Sequence, residues 1–100
     1  MKKTDKLTFG ASFFNETIEA TSEQLWELFG EPSFNDNTGS DKVNLEWVLE
    51  DEEGNIITIY DWKEYRRIFD DEIIGWHIGG KEKLHTIKAK MKLEELLNQK

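Results

Sequence analysis

The sequence predicts an α+β domain: an antiparallel sheet of about four strands, with one inserted helix and one carboxy-terminal helix packed on one face. Three β-rich segments separated by turn-forming residues lie between positions 43 and 80, and helix-favouring residues lie on either side. A chain of 100 residues can bury one such core but not two. We therefore expect residues 7–100 to form a single domain after a flexible amino terminus, residues 1–6.

The three central strands are predicted from the alternation of apolar and polar side chains, the period of a strand with one buried face. In the first, 43–50, only Val48 breaks the alternation. The acidic, glycine-containing stretch 51–55 suits a hairpin connection to the second, Ile56–Tyr60. The third, 73–80, places three large apolar side chains on one face: Ile74, Trp76 and Ile78.

An earlier strand is predicted over 7–14, where alternate residues are apolar and Gly10 marks a weak point or a bulge. Residues 15–20 are interpreted as a connection with a little extended structure around Ile18. The stretch 33–42 is rich in turn-forming residues and predicts a loop.

The inserted helix is predicted from its two ends. Thr21 and Gln24 have the spacing of a capping box, and Gly30 and Pro32 are typical of a helix terminus. Between them the apolar residues Leu25, Leu28 and Phe29 share one face. After the hairpin, Asp61 could cap a short helical turn, although an irregular loop fits the same residues.

The carboxy-terminal segment is ambiguous between two structures. Residues 85–93 alternate as a strand would, but Lys, Ala, Met, Leu and Glu are strong helix formers, and we favour a helix that begins just after Gly80. Such a helix is apolar on two opposite sides, Leu84, Ile87 and Met91 on one and Ala89, Leu93, Leu96 and Leu97 on the other. This predicts either a bend near Met91 or a homodimer through the distal half.

Charge is unevenly distributed along the chain. The formal net charge is −8, and 13 acidic residues between Glu16 and Asp61 face only one base, Lys42. A protein region with a large negative charge repels the phosphates of nucleic acid and attracts a basic protein surface. We expect a partner with a basic surface to meet five carboxylates in and after the first central strand: Glu46, Glu50, Asp51, Glu52 and Glu53.

Cysteine is absent from the sequence, which excludes disulfides and thiolate metal sites. The basic amino terminus is not followed by an apolar segment, and no run approaches the ~20 apolar residues of a membrane span. The sequence therefore predicts a cytoplasmic protein without a cofactor or metal, and no membrane association.

A second group of residues suggests a small-molecule site. Paired glycines followed by lysine, between a strand and a helix, can let backbone N–H groups approach a phosphate, although such pairs more often serve the geometry of a tight turn alone. His77 could contact a ligand or be structural, and Trp62 among cations could stack on a base or make ordinary cation–π contacts. The candidate ligand-binding residues are Trp62, Arg66, Arg67, His77, Gly79, Gly80 and Lys81.

Four short motifs carry a resemblance to a group of small proteins encoded in bacteriophage and prophage genomes. They are Gly-Glu-Pro at 30–32, Asp-Lys-Val-Asn-Leu-Glu-Trp at 41–47, Thr-Ile-Tyr-Asp-Trp-Lys at 58–63 and Trp-His-Ile-Gly-Gly at 76–80. The resemblance covers the chain from Leu7 onward, although 64–72 is longer than that pattern. It implies a small acidic accessory protein of the host cytoplasm that acts by binding, for example an inhibitor of host defence.

Two functions therefore follow as expectations. The first is a non-enzymatic phage-type protein that binds and inhibits a host defence protein through its acidic surface. The alternative is a protein that binds a nucleotide or signal molecule, a sponge, through the second group of residues. A hydrolase using His77 and a carboxylate ranks last, because no nucleophile motif accompanies that histidine.

Overall fold

A computed structural model describes residues 1–6, 8 and 10–98, and these form an α+β domain. Two helices accompany six strands, in chain order β1 (Lys2–Lys3), β2 (Ser12–Ala20), α1 (Ser22–Phe29), β3 (Phe34–Asn35), β4 (Leu45–Glu50), β5 (Ile56–Tyr60), β6 (Ile74–Gly80) and α2 (Lys83–Leu97). Neither helix is long and apolar enough to cross a membrane within this described part.

All the strands join one antiparallel sheet in the order β1-β4-β5-β6-β2, with β3 paired to β4. The expectation of about four strands is wrong in number because β1 and β3 contain two residues each, too few to show a periodic pattern. The predicted flexible segment 1–6 contains β1, in which Lys2 lies opposite Glu50. Similarly, the predicted loop 33–42 contains β3.

One face of the sheet carries the core, which we call the inner face. Trp47 and Trp76 meet edge to face there with ring centres 5.6 Å apart, and each indole N–H donates to a backbone carbonyl, of Gly30 and Ala20 respectively. Leu25 of α1 joins the same core. So do the α2 residues Ala89 and Leu93. Both helices therefore cover the inner face, as expected.

Strand β2 lies later in the chain than the predicted strand 7–14, of which Leu7 and Phe9 lie outside the described residues. Asn15 has a left-handed backbone (φ 70°), and the pairing of β2 with β6 shifts between Phe13 and Thr17. This bulge changes which side chains face inward, so Ile18 is buried in the core and Phe13 is exposed. The alternation in the sequence therefore predicts the wrong strand boundaries.

Both predicted helices, the inserted one and the carboxy-terminal one, are confirmed. In α1 the Thr21 hydroxyl accepts from the Gln24 N–H (3.1 Å) and the Gln24 side chain accepts from the Thr21 N–H (2.8 Å), which is a capping box. Residues 85–93 lie in α2 and are helical. The side of α2 that carries Ala89 and Leu93 faces the core, whereas Leu84 and Met91 are exposed.

Candidate functional site

The outer face of the sheet, opposite the helices, presents a row of side chains on adjacent strands. Register places Tyr60 of β5 opposite His77 of β6, Glu46 of β4 opposite Tyr60, and Phe13 of β2 opposite Gly79. His77 therefore points away from Trp76 and Ile78, as the alternation predicts. Trp62, two residues beyond Tyr60, extends the row.

Four aromatic rings meet on this face, and we call Phe13, Tyr60, Trp62 and His77 the aromatic cluster. The Phe13 and His77 rings are stacked, with centres 4.0 Å apart and planes at 15°. The ring centres of Tyr60 and Trp62 lie 5.5 and 6.2 Å from that of His77. His77 is therefore the centre of the cluster.

Two lysines flank the outermost ring of the cluster. The Nζ atoms of Lys42 and Lys63 lie 6.0 and 5.6 Å from the centre of the Trp62 ring, within cation–π range. The Lys63 N–H donates to the Lys42 carbonyl (2.7 Å), which ties the two segments together. Lys63 adopts a left-handed backbone (φ 57°), a conformation that costs roughly 1–2 kcal/mol in an L-residue.

A cleft of about 240 Å³ opens beside the aromatic cluster. A Cβ atom at Gly79 would collide with Thr58 Oγ1, so glycine is required in the floor of the cleft. Several loop residues complete the wall; the lining is Thr8, Ala11, Ser12, Val43, Glu46, Thr58, Tyr60, Trp62 and Gly79. The cleft is thus mixed in character, with aromatic rings, hydroxyls and one carboxyl group.

Burial affects three ionisable groups near the cleft. It raises the pKa of the Glu46 carboxyl. Burial, reinforced by the Glu46 charge, raises the pKa of the Tyr60 phenol. Burial lowers the pKa of His77, which favours the uncharged imidazole.

A buried carboxyl group anchors the chain just before Trp62. Asp61 Oδ1 accepts from the backbone N–H groups of Asn44 (2.8 Å) and Leu45 (2.9 Å), and Oδ2 accepts from Asn44 Nδ2 (2.9 Å). Asn44 Nδ2 also donates to the Arg66 carbonyl (2.9 Å). Asp61 is therefore not a helix cap, and residues 61–73 form an irregular loop. The anchor fixes both segments that carry the lysines.

Two of the seven predicted ligand-binding residues line the cleft, Trp62 and Gly79, and His77 lies beside them in the aromatic cluster. Gly80 does not, because the pleat turns it to the inner face, where a Cβ atom would lie 2.9 Å from Thr86 Cγ2 of α2. Lys81 is exposed just after β6.

The two predicted arginines are engaged in the loop 61–73 instead. Arg66 forms a two-pronged ion pair with Glu72, which lowers the pKa of Glu72. The Arg67 guanidinium lies 5.8 Å from the Phe69 ring centre.

Three residues of the cluster and its flanking lysines were not predicted from the sequence: Phe13, Lys42 and Tyr60. Lys63 is one of the cations around Trp62 that the sequence suggested. Tyr60 could have been identified from the sequence, because it ends a predicted strand and lies opposite His77 once β5 pairs with β6. Phe13 could not be found because the bulge at Asn15 reverses its face.

The five predicted partner-binding carboxylates lie along β4 and in the following hairpin. Glu50 pairs with Lys6 (2.7 Å), and Glu52 with the Met1 amino group (3.1 Å). These contacts lower the pKa of both glutamates. Glu53 lies 3.9 Å from Lys88 Nζ. Asp51 accepts from the backbone N–H groups of Glu53 and Asn55 and from Asn55 Nδ2. Glu46 lines the cleft instead.

Within residues 1–6, 8 and 10–98, no group of three or more His, Asp or Glu side chains could hold a metal ion. Comparison with known proteins gives no match to a family model, a curated protein or a solved structure. The resemblance to phage-encoded proteins therefore stays a prediction.

Proposed function

We propose that this protein is a non-enzymatic binding protein that takes up a nucleotide in the cleft beside the aromatic cluster. The base stacks on rings of the cluster, and the phosphate pairs with Lys42 or Lys63. The convergence of four aromatic rings on the outer face is the observation that carries the proposal. A base stacked on an aromatic side chain gains about 1–3 kcal/mol. The site thus has the chemical components that a base and a phosphate need.

The size of the cleft supports a mononucleotide rather than a polymer. Its volume of about 240 Å³ is at the small end of ligand pockets, which hold roughly 300–1,000 Å³. One ring system fits there, with the phosphate outside beside the exposed lysines. The net charge of −8 also disfavours a long polyanion, whereas two local lysines suffice for one phosphate.

Binding rather than catalysis is proposed because of the neighbours of His77. Three aromatic rings lie around its imidazole. A general base needs hydrogen-bond contact with a nucleophile or a water, and rings in van der Waals contact favour stacking instead. We therefore assign His77 to supporting the rings of Tyr60 and Trp62, which line the cleft.

Inhibition of a host protein through the acidic surface ranks second. The observation in its favour is the grouping of Glu50, Asp51, Glu52 and Glu53 at one end of the sheet. Three cations already partner this group, which reduces the charge left for a partner. If the proposal is right, reversing these four charges slows association with the partner and removes its salt dependence.

Titration of intrinsic tryptophan fluorescence with AMP, GMP, CMP and UMP tests the nucleotide site. Trp62 and Trp26 provide a matched pair, because their exposed fractions are 41% and 40% while Trp26 lies on α1. We expect at least one nucleotide to quench the wild-type protein. Trp62→Ala lacks the reporter ring, so its affinity is measured from thermal stabilisation by the nucleotide, and it should be weaker about 5- to 150-fold, from the 1–3 kcal/mol of one stacked base. Trp26→Ala should leave the dissociation constant unchanged.

Two results would contradict the nucleotide site. One is the absence of any quenching or thermal stabilisation by the four nucleotides, since a ligand of the native state must stabilise it. The other is an equal loss of affinity in Trp26→Ala and Trp62→Ala. Absorbance at about 260 nm in the freshly purified protein would provide independent support, because a co-purified base absorbs there.

A further inference from the structure

The lateral edge of β2 is open to strand addition. The sheet order places β2 at one end, and among the described residues no strand pairs with its free side. The segment from Thr17 to Ala20 pairs regularly with β6, so its other set of backbone groups points outward in a regular row. The opposite end of the sheet has only β1 and β3, with two residues each. The edge of β2 is therefore the long exposed edge of this sheet.

A groove runs between this edge and α2. It has a volume of about 350 Å³, and its lining is Thr17, Ile18, Glu19, Lys90, Glu94, Leu97 and Asn98. A strand added to β2 would direct every second side chain toward α2 and into this groove. An exposed strand beside a helix is the arrangement that binds extended peptides by β-augmentation, in which main-chain bonds supply affinity and side-chain pockets supply specificity.

The charges around the edge determine which partner fits. Glu16 and Glu19 belong to β2 and Glu94 to α2, whereas among the described lining residues of the groove Lys90 carries the positive charge. Glu19 lies opposite Gly75 on the outer face, so carboxylates are found on both faces of an added strand. A second copy of the chain paired at this edge would bring its own Glu16 and Glu19 close to these acids, which is unfavourable. A basic segment meets no such repulsion.

We propose that the edge of β2 and the adjoining groove bind an extended segment of a partner protein that carries Lys or Arg at alternate positions. The segment extends the sheet as a further antiparallel or parallel strand. Its basic side chains lie on the outer face beside Glu19, and the intervening side chains point into the groove toward α2. This surface is separate from the cleft beside the aromatic cluster, and peptide binding here does not depend on nucleotide binding there.

A fluorescein-labelled peptide of eight residues with alternating lysine and valine is a suitable probe, followed by fluorescence anisotropy. A peptide of the same sequence with every backbone amide nitrogen methylated is the control, because it keeps the charge and loses the hydrogen-bond donors. We expect the unmethylated peptide to bind and the methylated one to bind at least about tenfold more weakly. Amide resonances of residues 17–20 should shift on binding of the first peptide only.

A pair of charge variants separates this edge from the overall negative field. Glu19→Lys should weaken peptide binding about fivefold, from the loss of one exposed ion pair and its replacement by repulsion. Glu31→Lys changes the net charge equally, beside β1 at the other end of the sheet, and should leave affinity nearly unchanged. Absence of binding, equal binding of both peptides, or equal losses in the two variants would overturn the proposal.

Discussion

Replacement of Asp61 by alanine tests the anchor that holds the cleft together. Asp61 is fully buried and accepts three hydrogen bonds, from the backbone N–H groups of Asn44 and Leu45 and from Asn44 Nδ2. Alanine removes both acceptor oxygens, so the backbone N–H groups of Asn44 and Leu45 lose their acceptor and Asn44 Nδ2 keeps only its bond to the Arg66 carbonyl. Because Asp61 precedes Trp62, the same change should release one wall of the cleft.

The size of the effect follows from the three donors. A buried donor left without an acceptor costs about 1–3 kcal/mol, which gives about 3–9 kcal/mol if each cost were paid in full. Water that enters the space left by the carboxyl group recovers part of this loss. We therefore expect Asp61→Ala to lower the free energy of unfolding by about 3–5 kcal/mol. Asp61→Asn keeps one acceptor oxygen and should lose about 1–3 kcal/mol.

Urea unfolding, followed by tryptophan fluorescence and by far-ultraviolet circular dichroism, measures these values, and coincident curves establish two-state behaviour. The exposed carboxylate of Asp71 provides the control, since Asp71→Ala should change stability by less than about 0.5 kcal/mol. A loss below about 1 kcal/mol in Asp61→Ala would refute the role of the anchor. If Asp61→Ala does not fold, the Asn variant decides the question.

Three further changes have definite expected outcomes. Thr21→Ala removes the acceptor of the capping box and should lower the unfolding free energy by about 1 kcal/mol in the same urea experiment. Gly79→Ala should cost about 1–3 kcal/mol through the collision with Thr58 Oγ1, and the added change Thr58→Ala should restore part of it. Burial raises the pKa of Glu46 in the folded state, so its ionisation opposes folding as pH rises through that pKa. Glu46→Gln should therefore gain stability relative to wild type at about pH 7 but not at about pH 4, and an equal difference at both values would contradict this.

The central strands and both helices could be predicted because their signals are local. Alternation defines β4, β5 and β6 to within two residues at each end, and the Thr21 capping box marks the start of α1. Strand β2 could not be placed, since the bulge at Asn15 depends on pairing with β6. The two-residue strands depend on β4 in the same way.

The candidate site could be predicted only in part, because its residues meet through tertiary structure. Trp62 and His77 were identifiable as aromatic side chains near basic or glycine-rich segments, and the pairing of β5 with β6 brings them together. Lys42 lies near Trp62 because the pairing of β4 with β5, extended by the bonds between Asp61 and Asn44, brings the two segments together. The ion pair between Arg66 and Glu72 could not be predicted either, because both residues lie in an irregular loop.

Gly79 and Gly80 show how one strand serves both layers of the domain. In a pleated strand, neighbouring residues face opposite sides, so two adjacent glycines cannot approach a common ligand with the same face. A side chain at Gly80 would press on Thr86 and separate α2 from the sheet, whereas one at Gly79 would press on Thr58 beneath the cleft. The two glycines therefore have different steric roles. Gly80 lets α2 pack closely on the inner face, and Gly79 leaves space for the cleft on the outer face. For this reason the nucleotide site is proposed at the aromatic cluster and not at the turn after β6.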